Sequence, residues 1–135
     1  MREYKFRGQA RGEWVHGSLI ICEDGHCVIN WVDGLRHVST DIGVVSETVG
    51  QFTGLTDANG QEIYEGDIVK VVSYGEESFH VVKYMIDLDY PAFDLEPALD
   101  GDFNSLGYCL IDIDTKITVI GNIYDNPEML RLCNA

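Results

Sequence analysis

The 135-residue chain is short of basic residues: nine Lys and Arg stand against 23 Asp and Glu, a net charge of −14. A field of that sign repels polyphosphate, so non-specific nucleic-acid binding lacks its main electrostatic contribution. The shortage is uneven. Residues 1–50 carry five Lys/Arg against seven Asp/Glu, and residues 51–135 carry four against sixteen. The plain reading of this acidity is solubility; the sharper one is a basic partner, or mimicry of DNA's charge. Long apolar runs are missing too. No stretch approaches the roughly 18 residues of a membrane span, and the N-terminal MREYKFRG lacks the apolar core of a signal peptide. The expectation is a cytoplasmic protein with no membrane partner.

Catalytic signatures are equally scarce. No G-x-S-x-G elbow, H-E-x-x-H pair or glycine-rich phosphate loop occurs. His16, His37 and His80 each lack a recognisable nucleophile nearby, so no catalytic residue and no cofactor is read. Four cysteines, Cys22, Cys27, Cys109 and Cys133, are expected as free thiols in a reducing compartment, behaving as compact hydrophobes. Cys22, His26 and Cys27 cluster without the second short-spaced pair that structural zinc wants. Asp100-Gly101-Asp102-Phe103-Asn104 lacks the twelve-residue spacing and closing glutamate of a calcium loop. No metal site is assigned.

What the chain does have is 45% hydrophobic residues, sufficient for a packed interior, and evenly spaced turn signals. Tyr4, Phe6 and Gly8 alternate with Glu3, Lys5 and Arg7, the period of a half-buried strand. That alternation also puts several of Arg2, Lys5, Arg7 and Arg11 on one solvent face. There they would pair with the acidic half, in the same chain or a second copy, giving a salt-sensitive oligomer. Arg11-Gly12, Asp24-Gly25 and Asp33-Gly34 punctuate further apolar runs, which describes an antiparallel meander. Residues 39–49 are read as extended because of their β-branched content and Gly43.

Between Gly50 and Lys70 the turn chemistry is densest. Asn59-Gly60 predicts a type I′ hairpin, Gly54 and Gly66 serve backbone turns, and Asp57 and Asp67 are placed to bond turn amides. Asp67–Val72 predicts a strand, Gly75-Glu76-Glu77 a turn, and Phe79–Ile86 the returning strand. Residues 87–97 alternate acidic with apolar residues up to two prolines, an edge-strand pattern, and Ala98–Ser105 reads as an exposed loop. Tyr108–Asp114 and Ile117–Tyr124 predict strands. Asn126-Pro127-Glu128 reads as a capped helix start. The carboxylates Asp87, Asp89, Asp94, Glu96, Asp100 and Asp102 form the expected acidic partner face.

Thr48–Lys70, with Met1–Gly8 and Glu13–Gly17 before it and Val119–Glu128 after it, resembles the signature of the YopX family of bacteriophage and prophage proteins. The resemblance implies a phage or prophage origin and a small β-rich fold with an SH3-like barrel in its C-terminal part. It implies no reaction. The expected fold is therefore mainly β: an N-terminal meander (1–49) joined to an SH3-like barrel region (50–135) with a short C-terminal helix. The expected function is a non-enzymatic phage accessory module that binds a host or phage protein or self-assembles into a homo-oligomer. The alternatives are an acidic DNA mimic acting on a host DNA-binding protein, and an enzyme whose site only the fold assembles.

Overall fold

The computed structural model describes residues 4–35, 38–85, 92–99 and 105–133. The chain divides into two compact units, Met1–Gly54 and Leu55–Ala135. Its elements are mainly strands. In order they are β1 (Phe6–Ala10), β2 (Glu13–Ile21), β3 (Cys27–Asp33), β4 (Val38–Thr56), β5 (Glu62–Tyr64), β6 (Asp67–Ser73), β7 (Glu76–Tyr84) and β8 (Phe93–Glu96). Helix α1 (Ser105–Ile111), β9 (Thr115–Asn122), a 3-10 turn (Pro127–Met129) and helix α2 (Leu130–Cys133) complete the chain.

In the first unit β1 pairs antiparallel with both β2 and β4, while β3 pairs with the far halves of the same two strands. The β1–β2 turn is a two-residue loop, and Arg11 and Gly12 both have positive φ, 54° and 80°. That is the type I′ geometry whose twist suits a tight hairpin. Gly17 sits where β2 passes over β3: a Cβ there would fall 2.1 Å from the Asn30 carbonyl oxygen, so no side chain fits. Interior material is sparse. Ile29, Cys27 and Phe52 are the buried hydrophobics among the described residues of this unit.

The second unit carries a four-stranded antiparallel sheet in the order β8-β7-β6-β9. Strand alternation splits β6 between two layers. Val69 and Val71 join Ile63, Val82, Leu95, Ile117, Leu106 and Cys109 in the main core, while Ile68 packs with Val81 and Cys133. Helix α1 therefore serves one core and α2 the other, which explains a sheet apolar on both sides.

Several local expectations are corrected. Residues 108–111 are helical, not the start of a strand. Leu106, Cys109 and Leu110 recur at helical spacing and pack into the main core, whereas Ile111 and Ile113, which lent the segment its strand-like look, are 81% and 94% exposed. Asn59-Gly60 is not a type I′ pair, since Gly60 alone of the two has positive φ. Instead Gly60 N–H donates to the Asp57 carbonyl at 3.0 Å and Asp57 N–H to the Gln61 carbonyl at 2.8 Å, a longer hairpin loop closed by a glycine bulge. Between β6 and β7 the type I′ pair is Tyr74-Gly75, with φ of 51° and 82°, so the turn lies one residue earlier than Gly75-Glu76-Glu77. At the C-terminus Asn126 makes no side-chain cap; its Oδ1 accepts the Asn122 N–H at 3.2 Å instead. Ser105, placed in an exposed loop by sequence, is 2% exposed at the head of α1.

Candidate functional site

The carboxylates expected on one acidic face meet different fates. Asp87, Asp89, Asp100 and Asp102 lie outside the described residues. Asp94 is turned inward: it is 3% exposed, and its Oδ1 accepts the Leu95 and Leu106 amides, each at 2.9 Å. Its carboxylate ties β8 to the first turn of α1 and does not face solvent. Alternation misplaced it because acidic residues usually take the outer positions of an edge strand. Glu96 is exposed and meets Lys83 Nζ at 3.0 Å, a surface pair of small energetic weight.

The turn residues of the central block are positioned by backbone bonds. Gly54, Gly60 and Gly66 have φ of 87°, 80° and 93°. Asp57, 7% exposed, accepts the Asn59 and Gln61 amides on Oδ1 at 2.8 and 2.9 Å and the Val119 amide on Oδ2 at 2.9 Å. One carboxylate thus fixes the β4–β5 loop against β9. Asp67, 1% exposed, accepts the Tyr64 amide at 2.7 Å and closes the turn into β6. Asn59 is exposed at the loop tip.

Of the basic N-terminal cluster, Arg2 lies outside the described residues, and Arg7 is not on the expected solvent face. Arg7 is buried with its guanidinium 4.4 Å from the Trp14 ring centroid, and Lys5 Nζ lies 5.3 Å from that of Phe52. Both cations are engaged by aromatic faces within the first unit. All four cysteines are free thiols; Cys22 is exposed and the other three are buried. Burial pushes the Cys109 thiol up to about 11 and raises that of Cys133 as well. Among the described residues no three His, Cys, Asp or Glu side chains converge as a metal site would require. No helix among them is long and apolar enough to cross a membrane.

Two surface features stand out among the described residues. The first is in the Met1–Gly54 unit. Strand β2 pairs with β3 only as far as Asn30. Beyond it β3 and β4 continue as a two-stranded arm through the pairs Trp31–Thr40, Val32–Ser39 and Asp33–Val38. Trp31, Val32, Leu35 and Val38 on this arm are 46%, 60%, 95% and 50% exposed. An isolated two-stranded ribbon is marginal in water, and exposed apolar area on one is a candidate for contact with another surface.

The second is a cleft in the other unit, about 460 Å³ in volume, beside the first half of β7. Strand β8 pairs with β7 only over Val81–Tyr84, because the chain reaches Pro97, which has no N–H to continue the ladder. The cleft opens along the part of β7 that β8 leaves, and is walled by Pro97, Leu99 and Leu132. Ser78 and His80 line it, two residues apart on one face of the strand. Ser78 Oγ lies 2.8 Å from His80 Nε2, and His80 Nδ1 is hydrogen-bonded to the Pro97 carbonyl. Burial pushes the His80 pKa below its ordinary value against the opposing pull of that carbonyl. Local sequence reading missed this pair because it began the strand at Phe79, which left Ser78 outside; the strand begins at Glu76 and puts both residues on one face. Beside the cleft, Ser73 Oγ is 2.9 Å from Thr115 Oγ1, which donates to Asp112 at 2.6 Å. Hydrogen bonding to Tyr74, then to Asp112, pushes the Tyr108 phenol up to about 12.

The comparisons with known proteins come down on one family. The family model of the YopX protein matches residues 5–131. The chain belongs to the YopX family. Among solved structures it is similar to protein EF1440 from Enterococcus faecalis, with 26% identity and a TM-score of 0.62 over 96% of this chain and 99% of that one. It is also similar to protein yopX from Bacillus subtilis, with 21% identity and a TM-score of 0.60 over 95% and 98% of the two chains. That second likeness speaks to the fold alone. No curated protein matches. Family membership brings no reaction with it.

Proposed function

We propose that this YopX-family chain is a prophage accessory protein of the bacterial cytoplasm that acts as a self-associating, protein-docking module. The observation that carries the reading is the exposed apolar arm of β3 and β4, with Trp31, Val32, Leu35 and Val38 at its surface. A second copy is the occupant argued for by charge. Residues 55–135 hold sixteen Asp/Glu against four Lys/Arg, so two such units repel each other. Residues 1–54 hold seven against five and carry the apolar arm, so copies meet there with the least repulsion. In the same reading Leu55–Ala135 is an SH3-like barrel, supported by its antiparallel β6–β7–β8 order and the return of β9 beside β6.

Light scattering at low and high salt tests the association. An apolar contact between like-charged chains holds or strengthens as salt screens their repulsion. An oligomer that salt dissolves would instead return the contact to ion pairs between the basic N-terminus and the acidic half. A monomer under both conditions would remove the proposal. The acid excess of the second unit favours one other reading, mimicry of DNA's charge towards a host DNA-binding protein. Pull-down from host lysate separates the two: enrichment of basic DNA-binding proteins speaks for mimicry, and recovery of the chain's own second copy speaks for self-association.

A further inference from the structure

The cleft beside β7 holds a hydrogen-bond relay that neither the docking reading nor family membership uses. A backbone carbonyl can only accept, so the bond between His80 Nδ1 and Pro97 O places the imidazole proton on Nδ1. In the neutral ring Nε2 then carries the lone pair, and its partner at 2.8 Å, Ser78 Oγ, must donate to it. The order is hydroxyl, imidazole, fixed acceptor. That is the order of an activated serine, with a main-chain carbonyl in the place where a carboxylate orients the ring in the familiar triads. Burial disfavours the imidazolium, so the base form is the one held at neutral pH. His80 is 3% exposed, whereas Ser78 is only half-buried and lines the cleft, so the base is shielded and the hydroxyl reachable. The other titratable groups lining the cleft are Glu76, Glu77, Tyr74 and Cys133. The Cys133 thiol is held protonated by burial and does not compete as nucleophile. A volume of about 460 Å³ lies in the range of small-molecule sites, and Pro97, Leu99 and Leu132 give it apolar walls.

We propose that Ser78 and His80 form an acyl-transfer site for small, apolar, activated esters, with Ser78 as nucleophile, His80 as general base and the Pro97 carbonyl as the group that positions the ring. Ser78 Oγ bonds to the acyl carbon as its proton passes to His80 Nε2. The ester C–O bond breaks, and the leaving oxygen takes that proton from Nε2. Water then attacks the acyl-serine, giving its proton to Nε2; the bond to Oγ breaks, Oγ recovers the proton and the carboxylic acid departs. Water is the one co-reactant, and no metal or oxidant enters the balance. Activated aryl esters are the fitting class because their leaving group needs little further stabilisation.

The test uses the full chain with p-nitrophenyl butyrate as substrate and a fluorophosphonate as covalent probe. The fluorophosphonate is expected on Ser78 when the labelled protein is mapped by peptide mass spectrometry. Ester hydrolysis is expected to fall about 100-fold in Ser78→Ala, the scale on which a positioned base acts. His80→Gln is expected to abolish labelling in material whose circular dichroism matches the wild type. Mapping on the wild-type chain decides the matter even if the His80 variant fails to fold. Label on any residue other than Ser78, no label at all, or hydrolysis unchanged in Ser78→Ala would overturn the proposal.

Discussion

Among the described residues, thirteen of the sixteen buried hydrophobic side chains belong to Leu55–Ala135 and three to Met1–Gly54, yet each unit exposes eight large hydrophobics. The second unit puts its apolar residues to internal use on both sides of a sheet. The first is held mainly by strand pairing; it leaves Tyr4, Ile21, Val32 and Leu35 at least 60% exposed, as the second leaves Tyr74, Ile111 and Ile113, so the two differ in what they bury and not in what they expose. Apolar area withheld from a chain's own core is available to another chain. The contrast therefore separates a unit with a substantial core from one with little, and it is on the second kind that the proposed contact between copies is placed. The acid follows the same division: it gathers on the unit with the larger core and is nearly balanced on the other.

The contrast is broken most forcefully from the core. Leu106→Ala is expected to cost about 2–5 kcal/mol in chemical denaturation, the range for a large apolar side chain truncated in a packed interior. Trp31→Ser in the same experiment, at a concentration where the chain is monomeric, should stay within about 0.5 kcal/mol, as exposed substitutions do. Equal losses would mean that the arm is part of a core after all. Next in size is Asp57→Ala, which strands three amide donors at once. We expect a loss of about 1–3 kcal/mol, together with faster hydrogen exchange at Asn59, Gln61 and Val119.

A smaller effect comes from His80. Its folded pKa lies below the value of 6.5 that it takes when unfolded. The unfolded chain therefore binds the proton first as pH falls. Stability attributable to this group is complete above 6.5, declines as pH drops from there to the folded pKa, and is level below it. Denaturation midpoints across that window should show the slope in wild type and lose it in His80→Gln. The smallest expected change is spectroscopic. Tyr108 should titrate near 12 in a residue-resolved NMR titration, and Tyr74→Phe, which removes the first of its hydrogen-bond partners, should bring it back towards 10.

The strands of both units were legible because their period and turn residues act locally. Arg11-Gly12 and the Val69-Lys70-Val71 alternation needed no knowledge of distant residues. Helix α1 was not legible, because Tyr108–Asp114 is rich in Ile, and only the core that receives Leu106 and Cys109 makes helical spacing the better solution. Asp94 was misplaced for a related reason. Its acceptors' partners, the amides of Leu95 and Leu106, include one twelve residues away, and a long-range bond of that kind leaves no mark in local pattern. The Ser78–His80 pair lay in plain spacing, but the Pro97 carbonyl that orients it comes from another strand end.

The proposed self-association places the contact between copies on the β3–β4 arm. Sedimentation equilibrium of wild type and of the double variant Trp31→Ser, Leu35→Ser, in the same high-salt buffer, tests this most directly. The account predicts a dimer or larger species for wild type and a folded monomer for the variant. The same mass for both chains would contradict it.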